Sequence, residues 1–142
     1  MAEDKIEDSL ENRRFGGVSR LYGPELRERF LSATVVVAGL GGVGSWAAEA
    51  LARTGIGHLV LIDFDHIAES NTNRQLHAIE GQYGKAKVEA MTQRILQINP
   101  EIKLTSCDEF LEPENLDQLI PSNALVLDAT DSVQTKIALS VW

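Results

Sequence analysis

Short continuous apolar runs alternate along the chain with longer stretches whose apolar residues recur every three or four positions. Residues 34–38 (TVVVA) are β-branched and apolar, which predicts a strand buried on both faces. Residues 59–62 predict a second such strand, ending at Asp63, and residues 124–127 predict a fourth, ending at Asp128. Between them, Ile102, Leu104 and Ser106 alternate with polar neighbours, as a third strand nearer the sheet edge would. Residues 43–54 are alanine-rich and stop at Gly55-Ile56-Gly57, the pattern of a helix and its terminating turn. Residues 83–98 place Val88, Met91, Ile95 and Ile98 on one helical face before Asn99-Pro100 ends the run. Pro24 suits the first turn of a helix reaching about Phe30. A short helix over 113–120 and a last one from about Val133 complete the set, while residues 64–82 read as a polar connection. Strand–helix alternation of this kind predicts an α/β fold: a Rossmann-like, doubly wound, mainly parallel sheet with helices on both faces. Ligands of such sheets sit at the carboxyl ends of the strands.

Composition agrees with one domain: 142 residues, 44% apolar and 24% charged. The apolar runs are far shorter than the roughly 20 residues of a membrane helix. The acidic N-terminus has no hydrophobic stretch of the kind a secretory signal needs. One cysteine, Cys107, allows no internal disulfide, which fits a reducing cytoplasm. Of the net charge of −8, about half falls in residues 1–12, where Glu3, Asp4, Glu7, Asp8 and Glu11 outweigh Lys5. That segment is expected to be a solvated, poorly ordered leader to a domain spanning 13–142. An acidic chain is a poor general polyanion binder, although five arginines between Arg13 and Arg29 leave a local basic patch open.

The chemistry-bearing residues cluster at the expected strand ends. Gly39-Leu40-Gly41-Gly42-Val43-Gly44 joins the first strand to a helix, where bare backbone amides can approach a phosphate. Asp63, nineteen residues after Gly44, ends the next strand and suits ribose hydroxyls. So far an NAD-dependent oxidoreductase fits equally. The following polar segment, with Asn71, Arg74 and then Lys87, adds cations that hydride transfer does not need and a triphosphate does. Asp131, after the fourth strand, is placed either to hold Mg²⁺ or to cap the last helix.

The ordered motifs GLGGVG, LIDFD, NTNRQ, YGKAK and DATDS resemble the ubiquitin-activating-enzyme-like (ThiF) superfamily, whose bacterial members adenylate carboxylates. RRFGGVSRLYG, GGVGSWAAEALARTGIG and SNTNRQLHA are most similar to its branch that dehydrates threonylcarbamoyladenosine in tRNA. The resemblance implies ATP and Mg²⁺ as cofactors, modified tRNA as partner, and a cytoplasmic homodimer with no membrane association. The alternative is a ubiquitin-like sulphur carrier as substrate, with a cysteine desulphurase system among its partners. It further implies that Gly39, Gly41, Gly42 and Gly44 line the phosphates. Asp63 would hold the ribose, Asp65 would be among the nucleotide-binding residues, Asn71, Arg74 and Lys87 would contact the triphosphate, and Asp131 would hold the metal. Related sulphur-carrier activators present an arginine from a partner subunit, a role for which Arg14 is preferred here over Arg20. The family's chains continue well past Trp142, so the sequence is expected to be a truncated domain whose isolated activity is doubtful. Cys107 and Trp46 read as packing residues, Lys85 as surface charge, and His58, His66 and His77 as surface or capping groups.

Overall fold

The computed structural model describes residues 9–142. Two helices, α1 (Leu10–Tyr22) and α2 (Pro24–Ser32), precede β1 (Thr34–Ala38), α3 (Gly44–Thr54) and β2 (His58–Ile62). A long connection with a 3₁₀ turn at Glu69–Asn71 leads to α4 (Lys87–Ile98) and β3 (Lys103–Cys107). A second 3₁₀ turn (Pro113–Asn115), α5 (Leu116–Leu119), β4 (Leu125–Asp128) and α6 (Val133–Val141) finish the chain. The four strands pair in parallel in the order β3-β2-β1-β4. No helix among the described residues is long and apolar enough to cross a membrane.

The apolar runs are continuous because both faces of the central strands are covered. Val35, Val37, Leu59 and Leu61 pack on one face against Ala48 and Ala52 of α3 and Val88, Met91 and Ile95 of α4. Val36, Ala38, Val60 and Ile62 point the other way, onto Leu111, Leu116, Leu119 and Ile120. Each such Val, Leu or Ile, fully withdrawn from water, contributes about 1.5–3 kcal/mol. β3 forms one edge, as its alternation predicted. β4 forms the other, with Leu125 exposed.

The fourth strand, expected to be buried, is an edge strand that no further strand covers among the described residues, and three other differences from the sequence reading have local causes. The helix expected from residue 83 starts at Lys87, because Gly84 takes a positive φ of 86° and Ala86 is extended, bridged to His66. The 113–120 segment divides into a 3₁₀ turn and a single α turn. Helix α1 was not foreseen. Residues 1–8 of the expected leader lie outside the described residues, but residues 10–12, assigned to it, are helical, with the Ser9 hydroxyl accepting the Asn12 amide at 3.1 Å.

α1 has little apolar surface to bury, and its position depends on a cation. Arg27 of α2, only 5% exposed, donates through Nε to Glu11 of α1 at 2.6 Å and through a terminal nitrogen to the Gly55 carbonyl at 2.6 Å. It also forms an ion pair with Glu11 and lies 5.2 Å from the centre of the Phe15 ring. One guanidinium thus joins α1, α2 and the end of α3, and this member of the basic cluster is structural. Arg27→Ala should cost about 3 kcal/mol in urea unfolding, because it strands Glu11 and removes buried stem area. Arg29→Ala on the exposed side should stay within about 0.5 kcal/mol.

Candidate functional site

The chain leaves β1 toward β2 on one side and returns to β4 on the other. The carboxyl ends of β1 and β4 therefore frame a crevice. The turn after β1 crosses it very closely. Gly39 adopts φ 91°, and a Cβ there would sit 2.7 Å from the Ala129 carbonyl oxygen. A Cβ at Gly44 would collide with the Gly39 carbonyl oxygen, so α3 can begin here only with glycine. No side chain caps α3, whose N-cap is Val43. The Ser45 amide donates to the Gly41 carbonyl at 3.1 Å, and the other first-turn amides are left for an anion. Ser45 steadies the turn, donating to the Gly41 carbonyl at 2.5 Å and accepting from the Leu76 amide at 3.2 Å.

Gly39, Gly41, Gly42, Asp63, Asp65, Arg74, Lys87 and Asp131 all line one cleft of about 350 Å³. The Asp63 carboxylate accepts the Leu40 amide at 2.6 Å and the Asp65 amide at 2.7 Å. Two of its roughly four lone-pair sites are so used, and the rest suit hydroxyl donors. Lys87 opens α4 with its side chain 7% exposed and its ammonium 3.6 Å from Asp65. One long ion pair leaves donors for a second anion. The Arg74 stem lies over Gly42, 3.4 Å from where a Cβ would be, and its guanidinium donates to the Ser70 carbonyl at 3.2 Å and Asn73 at 2.9 Å.

After β4 the two carboxylates part company. Asp128 accepts the amide and hydroxyl of Thr130 and the Lys136 ammonium. Burial raises its pKa, but those hydrogen bonds and the Lys136 charge outweigh it and hold the carboxyl below its ordinary value. Asp131 is exposed in the cleft, and among the described residues nothing pairs with its side chain. Ser132 caps α6, accepting the Thr135 amide at 3.3 Å, so the alternative role of Asp131 as the cap is excluded.

Residues 14–142 match the model of the ThiF family. This chain belongs to the ThiF family. It is 52% identical over 130 residues to tRNA threonylcarbamoyladenosine dehydratase of Escherichia coli (strain K12), covering 91% of this chain and 48% of that protein. It is 37% identical to molybdopterin-synthase adenylyltransferase of Salmonella typhimurium, covering 87% and 49% respectively. The structure of the E. coli tRNA N6-threonylcarbamoyladenosine dehydratase in complex with ATP matches with a TM-score of 0.88 at 52% identity, over 90% of this chain and 53% of that one. The chain spans about half the length of the curated relatives it matches.

Three expected residues of this ThiF chain do not line the cleft: Gly44 is buried at the start of α3 against the Gly39 carbonyl, and Asn71 and Arg14 are turned to other tasks. The Asn71 side chain accepts the Ala68 amide at 2.9 Å and closes the 3₁₀ turn. Arg14 lies elsewhere, donating to the Gln97 and Ile98 carbonyls at 3.3 and 2.7 Å, at the end of α4. Cys107 packs against the second core face, and burial and Glu109 raise its thiol pKa. Trp46 is half exposed and does more than pack: its indole N–H donates to the Arg74 carbonyl at 2.9 Å. His77 is not on the surface. It is 3% exposed, with Nε2 2.7 Å from the Leu40 carbonyl and Nδ1 unpartnered. Sequence reading also passed over Gln75, a buried cleft residue, and the edge-to-face pair Phe64–Phe110, 6.1 Å apart at the cleft. Phe64 stands between two noted aspartates, whereas Phe110 lies in a loop with no periodicity.

Burial lowers the His77 pKa, aided by Lys87, against the opposing Leu40 hydrogen bond and Asp63. The neutral ring donates from Nε2, so a proton on Nδ1 would bring an unpartnered buried charge. Above about pH 6.5 both folded and unfolded His77 are neutral and stability is complete. As pH falls below that, the unfolded chain takes up the proton first and stability is lost until the lower folded pKa is passed. His58, lowered by burial and by Lys103, acts in the same sense. The urea midpoint should therefore fall between about pH 7 and 5.5, and less steeply in His77→Gln. Equal slopes would assign the effect elsewhere.

Proposed function

We propose that this chain forms the nucleotide-binding half of an enzyme that uses ATP to adenylate a carboxylate. The substrate carboxylate is that of the threonylcarbamoyl group on a modified adenosine in tRNA. The observation that carries this reading is the meeting of three separate connections in one cleft: the glycine turn after β1, the stretch after β2 with Asp63, Arg74 and Lys87, and Asp131 after β4. In the reaction a carboxylate oxygen attacks the α-phosphorus, the bond to the pyrophosphate oxygen breaks, and pyrophosphate leaves. Ring closure at the activated acyl carbon then breaks its bond to the AMP oxygen, AMP leaves, and the modified base has lost the elements of water overall. The protein's part is placement and charge neutralisation. The α3 amides, Arg74 and Lys87 face the phosphates, Asp63 takes the ribose, and the Phe64–Phe110 pair offers apolar surface for a base.

Mg²⁺ suits the donors present. The cleft supplies an uncommitted carboxylate in Asp131, and this hard cation is usually held by one or two carboxylates together with phosphate oxygens and water. Bound there, it would supply positive charge to the triphosphate. Arg14 cannot serve its own chain's cleft from the far end of α4, which favours its action in the cleft of a second copy, with Arg20 the alternative. The tRNA reading is preferred over a sulphur carrier's C-terminus because the dehydratase relatives are the more similar. Hydride transfer would leave Arg74, Lys87 and Asp131 without a task.

Isotope exchange between pyrophosphate and ATP tests the reading. Exchange should require threonylcarbamoyl-modified tRNA, and Arg74→Ala and Asp131→Asn should each reduce it about 100-fold or more. Their thermal midpoints should move by no more than about 2 °C, since both side chains are exposed. Exchange supported only by a carrier protein would transfer the assignment to the sulphur-carrier class. Tight NADH binding without exchange would overturn it.

A further inference from the structure

Where α1 meets the last turns of α3 and α4, away from the nucleotide cleft, a cavity of about 440 Å³ is lined by Arg14, Phe15, Arg53, Arg94, Gln97 and Ile98. Three of its six residues are arginines, in a chain whose net charge is −8. Beneath them lies Glu49 of α3, 8% exposed. One Glu49 oxygen accepts Arg53 Nε and an Arg94 terminal nitrogen, both at 2.9 Å, and the other accepts Arg94 Nε at 3.0 Å. Arg94 holds the Glu49 carboxyl below its ordinary pKa, with burial opposing and Arg53 assisting. The buried carboxylate therefore stays ionised and orients two guanidinium groups whose side chains remain 59% and 45% exposed. Arg14 is tied to the Gln97 and Ile98 carbonyls, and Glu49 against Arg53 and Arg94 leaves a net +1 on the groups that face outward. Neither Arg53 terminal nitrogen is engaged by Glu49, and Arg94 keeps one, so both forks can still donate outward.

We infer that this cavity binds the phosphate backbone of an RNA, a second contact for the tRNA of the reaction proposed above, on which this inference rests. Planar guanidinium groups pre-set by a buried partner match paired phosphate oxygens and lose little freedom on binding them. Arg53 stands nine residues along α3 from Gly44, about 13 Å at 1.5 Å per residue. A nucleic acid strand carries a charge about every 3.4 Å along a duplex axis, so a strand seated in the cleft has phosphates within reach of the cavity. A protein this acidic attracts RNA poorly as a whole, and its binding must be concentrated at such local excesses of positive charge.

The test is fluorescence anisotropy of bulk tRNA binding across a salt series, comparing wild type, Arg53→Gln, the Arg53→Gln/Arg94→Gln double variant and Arg94→Lys. The double variant should bind tRNA about 10-fold more weakly near 0.1 M salt, with a log–log salt slope shallower by about 1–2. Arg53→Gln alone, at an exposed pair that folding tolerates, should show a smaller loss in the same direction, and Arg94→Lys, which keeps the charge but not the planar fork, should lose affinity while keeping the wild-type salt slope. ATP affinity and sedimentation mass should be unchanged throughout. Unaltered tRNA affinity and slope in the double variant, with wild type binding, would overturn the cavity assignment while leaving the adenylation reading intact. A changed mass would make the cavity a contact between copies, and equal competition by a polyglutamate peptide would make it a carboxylate site; either overturns the inference. A wild type that binds ATP but no tRNA would overturn both the inference and the choice of tRNA.

Discussion

At the end of β1 the backbone turns back so tightly that the start of α3 rests on the carbonyl of Gly39, and neither Gly39 nor Gly44 has room for a side chain. This contact sets how far α3 stands from the sheet and how close β4 comes to the turn, since Ala129 donates to the Ala38 carbonyl at 2.8 Å. It also leaves the first amides of α3 without a side-chain cap. The same lack of side chains that permits the packing therefore creates the anion site. Asp63 couples the turn to β2 through the Leu40 amide, and His77 couples it to the long connection through the Leu40 carbonyl. Leu40 is fully buried and holds both links in place.

Around that turn the cleft is assembled from groups that have little to do with one another along the chain. Arg74 is positioned from behind by Trp46 and from below by the bare surface of Gly42. Lys87 is buried up to its ammonium at the start of α4, where the extended Ala86 stops the helix from beginning sooner. Asp131 owes its availability to Ser132 and Asp128, which take over the capping and turn-closing roles that an aspartate in this position could have filled. The result is a cleft in which Asp63 and Arg74 are oriented by neutral neighbours, Lys87 has only a long pair with Asp65, and Asp131 is left uncommitted, as a site for a highly charged nucleotide requires.

Much of this was legible in the sequence where a local rule operates. The two-faced burial of β1 and β2 follows from unbroken apolar runs, the end of α3 from Gly55, and the edge position of β3 from its alternation. The glycine turn, Asp63 and Asp131 follow strand ends, and Arg74 and Lys87 lie in the connection that continues from Asp63, while the carboxyl ends of parallel strands share one side of the sheet. Helix α1 escaped because it buries only Phe15 and Gly16 and has no apolar stripe to detect. Its place depends on Arg27, which in the sequence is one arginine among five.

The sequence by itself determined the layered α/β architecture and the edge at which a ligand would sit, because both depend on periodicity and on glycine, which act over a few residues. Only the tertiary structure decided that Asn71 closes a turn, that His77 is buried, that Arg14 stands at the other end of the molecule, and that Glu49 gathers two arginines. Those outcomes depend on which side chains meet across contacts such as the 45-residue separation of Glu49 and Arg94. A polar residue's role is set by the partner that desolvates or pairs with it, and one-dimensional spacing carries no record of that partner.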